Sequence, residues 1–324
     1  MALCRRISDL YALALLTVYA LFLPLGGYER MMEGKYRAFL LLSLGYVLAM
    51  TALGAWKAVR WREPMCLAAL AYLVLTALSA ALSPYGTAVL LGGTRRDGLL
   101  TAALYAAVFL LLARHLRPDC WLLYAAAASA ALLGLAVTAV LGLPLLFPRR
   151  RRAMWALTLL LTAAAFALIW FFPGDGGTLS ELHQLLHGEV DLTFGSSRLL
   201  IWRSLLPLIA ERPLLGGGCG TLYLRDVPPF YWQRGGETTY FAVTSAHNEY
   251  LGVLVDQGAL ALLAFLALLA LALWRAYRHA ESDRCAVAGA ALLCYAVTAF
   301  FSVACCITGV YLWLLLAVLA PKEK

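Results

Sequence analysis

Three short stretches of this sequence carry residue types able to do chemistry. In TSAHNEYLGVLVDQG, Ser245, His247, Asn248 and Glu249 lead directly into a long apolar run. An imidazole near its neutral pKa is well suited to accept a proton at physiological pH. In SSRLLIWRSLLPLIAERPLLGGGCG, Arg198 and Arg203 accompany Trp202, and in GGTRRDGLL, Arg95, Arg96 and Asp97 stand before another apolar run. Guanidinium forks match phosphate oxygens in charge and geometry. Each stretch also has a plainer reading. His247 and Asn248 can simply cap a helix at the membrane interface, and Arg95 and Arg96 can be a snorkelling helix end with an acidic first-turn residue.

Other candidates carry less. His183 and His187 in ELHQLLHGE can share a helical face, but the pattern is not HExxH and no third ligand is evident, so no metal is expected. The glycines at 216–218 and Gly220 are followed by no Lys-Ser/Thr pair, which makes them a turn rather than a phosphate-binding loop. The 8 cysteines lie mostly in or beside apolar runs without CxxC spacing, as structural cysteines do.

The elements that must position these groups are membrane helices. The 324 residues are 63% hydrophobic and 14% charged, so the bilayer is the solvent for most of the chain. About 20 apolar residues span it as a helix. Runs at 10–26, 38–56, 65–82, 99–113, 121–141, 153–172, 246–274, 286–302 and 307–320 qualify, the last two as a possible hairpin. The expected fold is an all-α polytopic bundle of about eight or nine transmembrane helices. It forms a single domain over residues 1–324, with one large extracytoplasmic loop at 173–245. The opening MALCRRISDLYALALL begins as a secretory signal does, but without a convincing cleavage site it reads as the first anchor.

The net charge of +8 does not point to nucleic acid, because the basic residues sit at the ends of apolar runs, where they orient helices. Clusters at 57–62, 149–152 and 275–284 mark candidate inner ends. Three apolar runs separate the first two clusters, whereas an even number is needed, so one assignment in that stretch fails. Either 99–113 is re-entrant, or 149–152 lies outside, or a helix is missing.

Within the loop, 196–211 reads as an amphipathic helix. At 100° per residue Arg198, Trp202, Leu205 and Ile209 share one side and Arg203 points elsewhere; Pro207 is expected to kink the helix and re-aim Arg203.

In order and spacing these pieces resemble the O-antigen ligase and polymerase superfamily. Its Arg-x-x-x-Trp helix corresponds to Arg198 and Trp202, its Pro-Leu-x-Gly turn to Pro213 and Gly216, and its Ala-His-Asn-x-Tyr-Leu helix entry to 246–251. The resemblance implies a bacterial cytoplasmic (inner) membrane enzyme of cell-envelope polysaccharide or lipopolysaccharide synthesis, active on the extracytoplasmic face. Such an enzyme moves a glycan from a polyprenyl diphosphate carrier, such as undecaprenyl diphosphate, to a hydroxyl of a glycan, lipid or cell-wall acceptor, with no cofactor. By resemblance His247 is the base, Arg198 the first diphosphate contact and Arg203 a second. Arg95 and Arg96 add to the cationic cleft, and Trp202, Asn248 and Glu249 support the site. Relatives carry more length and another functional arginine in the region near 137–152, where only the 149–152 cluster stands here. The alternatives are a polymerase of lipid-linked repeat units, a transporter or flippase of lipid-linked sugars, which would favour broken helices and mid-membrane polar residues, and a noncatalytic scaffold.

Overall fold

The computed structural model describes residues 2–24, 30–116, 140–172, 174, 177–189, 191, 194–227, 230–234, 237–303 and 305–321. Each apolar run within them is helical: α1 (Ala2–Ala14, continued by a π-turn at Leu15–Tyr19), α2 (Met31–Ala52), α3 (Pro64–Ala81), the short α4 (Ala88–Leu91), α5 (Leu99–His115), the short α6 (Leu143–Leu146) and α7 (Arg151–Trp170). After the loop come α10 (Glu249–Arg278), α11 (Asp283–Ala299) and α12 (Cys306–Leu319). The expected run at 121–141 lies outside the described residues except at its last two positions. Among the described residues, α3, the 148–170 segment and α10 are long and apolar enough to cross a membrane unaided, while α5 and α12 are apolar but shorter. This is a multi-pass membrane architecture.

The core lies where α3, α5, α10 and α12 meet. Phe109, Leu111, Leu112, Leu268 and Leu316 are fully buried there, and α5 is a regular helix in the middle of the bundle, not a re-entrant segment. By contrast α7 turns Leu159, Leu160, Phe166 and Leu168 outward, the face a helix shows to lipid.

Three basic clusters gather at one end. Arg151 donates to the Tyr277 carbonyl at 2.8 Å and lies over the Tyr277 ring. Arg60, Glu63 and Arg114 line one crevice with Ala320. The clusters at 57–62, 149–152 and 275–278 therefore share an end of the bundle, as the positive-inside rule requires. The α3–α5 pair leaves that end and returns to it.

The loop at the opposite end carries α8 (Gly177–Leu186) and α9 (Phe194–Glu211), and adds a short hairpin that the helical reading did not include. Strands β1 (Phe230–Arg234) and β2 (Glu237–Phe241) pair antiparallel, Phe230 opposite Phe241 and Arg234 opposite Glu237. Aromatic residues and threonines favour strand, and Gly235-Gly236 stands between them in the sequence. Helix α9 buries Ile201 and Leu205 in a small core with Leu222, Val243 and Val255 and leaves Arg203 exposed. Its departures from helical backbone fall at Gly195, Ser196 and Ser197, all with positive φ, and not at Pro207. Pro207 sits on the exposed face of the helix.

Helix α10 is interrupted at Gly258 (φ 84°, ψ 173°). The loop turn at 213–218 fills the break: Ala259 N–H donates to Pro213 O, Leu260 N–H to Leu214 O, Gly217 N–H to Val255 O and Gly218 N–H to Asp256 O. Backbone freed inside a bundle must find such partners. A Cβ at Gly258 would strike the Leu214 carbonyl, and one at Gly216 the backbone of Asp256. Glycine is required on both sides of the joint.

Candidate functional site

The loop before α5, residues 92–98, sends its two arginines in different directions. Arg95 donates to Ser245 Oγ at 2.9 Å, in the segment that carries His247. Arg96 (φ 55°) turns to α2, where it meets Glu33 at 2.8 Å and lies over the Tyr36 ring. Arg95 is brought to the site, and Arg96 is placed against Glu33 instead. Asp97 lies in a cradle of glycines, since a Cβ at Gly92 or at Gly220 would each come within 2.6 Å of its Oδ1. Cys219 Sγ donates to the Asp97 carbonyl at 3.0 Å, which ties this loop to the glycine turn.

His247 immediately precedes α10, half-buried and with a positive φ of 49°. Burial, then the positive charges of Arg95 and Arg198, hold its pKa below the ordinary histidine value. Three groups from distant parts of the chain therefore share one electrostatic neighbourhood. Arg198 donates to the carbonyls of Gly195 and, at 3.4 Å, of Phe301, while its Nε is shut off from solvent without a partner. Trp202, one turn on, donates its indole N–H to the Ala246 carbonyl at 2.9 Å and meets the Phe300 ring edge-on at 5.5 Å, which fixes α9 against the His247 segment. Arg203, on the exposed face of α9, is not brought into this group.

The next two residues are structural in their contacts. Asn248 Oδ1 accepts the Leu251 N–H at 3.0 Å as the N-cap of α10. Glu249 is buried, and its Oε2 accepts from Tyr295 Oη at 2.8 Å. Glu249 and Asn248 line a cavity of about 100 Å³ that opens at this end and reaches down between α3, α5, α10 and α12. Arg95 and Asp97 stand on its wall, whereas among the described residues His247, Arg198 and Arg203 do not line it.

Sequence reading did not find the polar residues of α10 on that wall. Arg225 pairs with Asp256 at 2.8 Å, their side chains 4% and 11% exposed, and also donates to the Val255 carbonyl. Gln257 Oε1 accepts from Thr76 at 2.7 Å. The signal was present, because an Asp-Gln pair inside a long apolar run is costly unless partnered. Among the described residues no group of three His, Cys, Asp or Glu side chains is gathered to hold a metal ion.

No curated protein matches the chain. A family model does: residues 118–266, which contain the Arg198 helix, the glycine turn and the His247 entry to α10, match the model described as O-antigen ligase.

Proposed function

We propose that the protein is a membrane glycan transferase that moves an oligosaccharide or polysaccharide from a polyprenyl diphosphate carrier to an acceptor hydroxyl on the outer face of the bacterial cytoplasmic membrane. The observation that carries this reading is the convergence of Arg95, Arg198 and His247 at the end of the bundle opposite the cationic clusters. That end faces outward by the positive-inside rule.

In the reaction the acceptor oxygen attacks the anomeric carbon of the first sugar. The bond from that carbon to the diphosphate oxygen breaks, and the carrier diphosphate leaves with the electron pair. Charge grows on the leaving oxygens, where Arg198 and Arg95 stabilise it. His247 takes the proton of the attacking hydroxyl. Its depressed pKa keeps the free imidazole neutral and ready to accept. An anionic diphosphate between the two arginines offsets their charge and makes the imidazole a stronger base once the donor is bound. A ligase and a polymerase of repeat units share this chemistry and differ in the acceptor.

The test is release of polyprenyl diphosphate from a lipid-linked oligosaccharide by reconstituted protein with candidate acceptors, native against His247→Ala. Release by native protein alone supports the reading; no release with any acceptor overturns it. One observation favours a transporter or flippase instead, namely the break of α10 at Gly258 beside buried Asp256 and Gln257. A flipping assay on the same vesicles separates the two.

A further inference from the structure

The end of α2 on the loop side of the bundle is crowded with positive charge, although outer helix ends are ordinarily poor in Lys and Arg. Arg30 stands at the start of the helix, Arg37 lies about two turns on, and Arg96 reaches across from the loop before α5. Glu33 answers two of them, accepting from Arg96 at 2.8 Å and from Arg37 Nε at 3.0 Å. Arg37 uses only Nε in that pair, and its side chain is 74% exposed, so its terminal nitrogens are open to a further acceptor. Arg30 is exposed and makes no ion pair among the described residues.

A fourth cation lies behind them. Lys35 is buried, and its ammonium donates to the carbonyls of Tyr19 and Ala20 and stands 5.0 Å from the centre of the Tyr19 ring. No side chain caps the first amides of α2, which adds the positive end of a 22-residue helix at the same level. Four cations against one carboxylate match an anionic partner.

A groove lies beside this charge. It holds about 670 Å³ between the end of α1 and the first half of α2, with Val18 and Phe22 on one wall, Leu41 and Leu42 on the other, and Arg30 and Arg37 also lining it. That volume falls within the range of small-molecule sites, about 300–1,000 Å³. A Cβ at Gly34 would strike Pro24, so glycine lets the end of α1 close on α2 and set the two walls. Val18, Phe22 and Leu41 are exposed on the outside of the bundle, which opens the groove sideways toward lipid. The direction of α2 orders its lining by depth: the arginines are outermost, and Leu41 and Leu42 follow about one turn below Arg37. Charge above and hydrocarbon below is the layering of a phospholipid, whose phosphate accepts from guanidinium forks. Among membrane lipids that carry phosphate, bulk phospholipid is the most concentrated, and by mass action it fills an open lateral groove first.

We propose that the α1–α2 groove seats one anionic phospholipid of the outer leaflet, its phosphate held by Arg30 and Arg37 and an acyl chain laid along Phe22, Val18, Leu41 and Leu42. Arg96 offsets the charge of Glu33, so that the carboxylate does not repel the headgroup. The seat shares the membrane orientation given above but not the transferase chemistry, since Arg95, Arg198 and His247 take no part in it.

Site-resolved labelling tests it. Full-length protein in phosphatidylcholine nanodiscs is doped with a diazirine-bearing phosphatidylglycerol or, separately, a diazirine-bearing phosphatidylcholine, irradiated, and mapped by peptide mass spectrometry. The expected result is labelling of residues 18–42 by phosphatidylglycerol about tenfold above that by phosphatidylcholine, and loss of that preference when Arg30→Gln and Arg37→Gln are combined. Labelling at the basic clusters of the opposite end should be the same in both proteins, which shows that the variant is folded. Equal labelling of 18–42 by the two lipids in native protein, or a preference that survives the double change, overturns the proposal. Two competitors check the occupant. Undecaprenyl phosphate that displaces phosphatidylglycerol at about a tenfold lower concentration gives the groove to the carrier, and glycerol 3-phosphate that competes as well as the whole lipid reduces it to a phosphate site; either result overturns the phospholipid seat.

Discussion

The indole nitrogen of Trp202 donates to the main-chain carbonyl of Ala246 at 2.9 Å, one residue before His247. This bond joins the helix that carries Arg198 to the segment that carries the imidazole, so their separation is set by a side chain that belongs to neither. Trp202→Phe keeps the ring contact to Phe300 and loses the bond. We expect turnover to fall about tenfold with carrier affinity nearly unchanged, since small misplacements of reacting groups cost rate before binding. Equal losses in both, measured by single-turnover release and by equilibrium binding, would show that the bond serves folding only.

His247→Ala should lower turnover by about 10²- to 10⁴-fold, the usual worth of a positioned base, and leave carrier binding intact. Arg198→Ala should weaken both, because the guanidinium faces charge already present on the bound donor. A His247→Ala protein with full turnover would remove the imidazole from the mechanism.

The pH dependence follows from the depressed pKa of His247, whose first cause is burial and whose second is the charge of Arg95 and Arg198. A depressed pKa keeps the base neutral to lower pH, so the acid limb of kcat/KM should lie below the usual histidine midpoint of about 6.5. In kcat, read with the anionic donor in place, that limb should move upward. In Arg95→Gln the limb of kcat/KM should also rise. A limb that stays put in Arg95→Gln refutes the electrostatic coupling.

Gly258→Ala places a Cβ at positive φ and against the Leu214 carbonyl. The cost should exceed the roughly 1 kcal/mol typical of a strained glycine replacement, and the variant should show a lowered thermal midpoint in detergent and loss of the loop's protease protection. Gly252→Ala, six residues earlier on α10 and with open space around it, is the control expected to behave as native.

Arg225→Met should destabilise by about 3–5 kcal/mol, because it leaves the Asp256 carboxyl buried without its partner. The double change Arg225→Met with Asp256→Leu should recover part of that loss. Unfolding midpoints of the three variants decide it, and no recovery in the double variant would mean that the pair is needed for more than its own charge.

The bundle was legible because the bilayer leaves a strong mark: a helix that must satisfy its own amides needs a long apolar run, and each such run within the described residues became a helix. The grouping of Arg198 with His247 was implied by the resemblance of the motifs to the O-antigen ligase superfamily. What periodicity could not carry were pairings between residues far apart in sequence. Arg95 and Arg96 look equivalent in the chain, and only the position of Glu33 on α2 and Ser245 before α10 separates them. Pro207 signalled a kink, yet the irregular turn lies at 195–197, where Gly195 and two serines take left-handed backbone. The Tyr105–Trp313 stack was hidden for the same reason, because it forms only where α5 and α12 lie side by side.

The joint between the 213–218 turn and the break in α10 also orders events during synthesis. The turn leaves the ribosome some forty residues ahead of Gly258 and has no partner until α10 follows. Helix α10, for its part, enters the bilayer with amides at 259 and 260 that only Pro213 and Leu214 accept. Neither half can mature alone, so insertion of the helix and closure of the outer loop are a single step of biogenesis. A chain stalled between them exposes bare main-chain polarity within the membrane, the kind of lesion that membrane quality-control proteases would recognise.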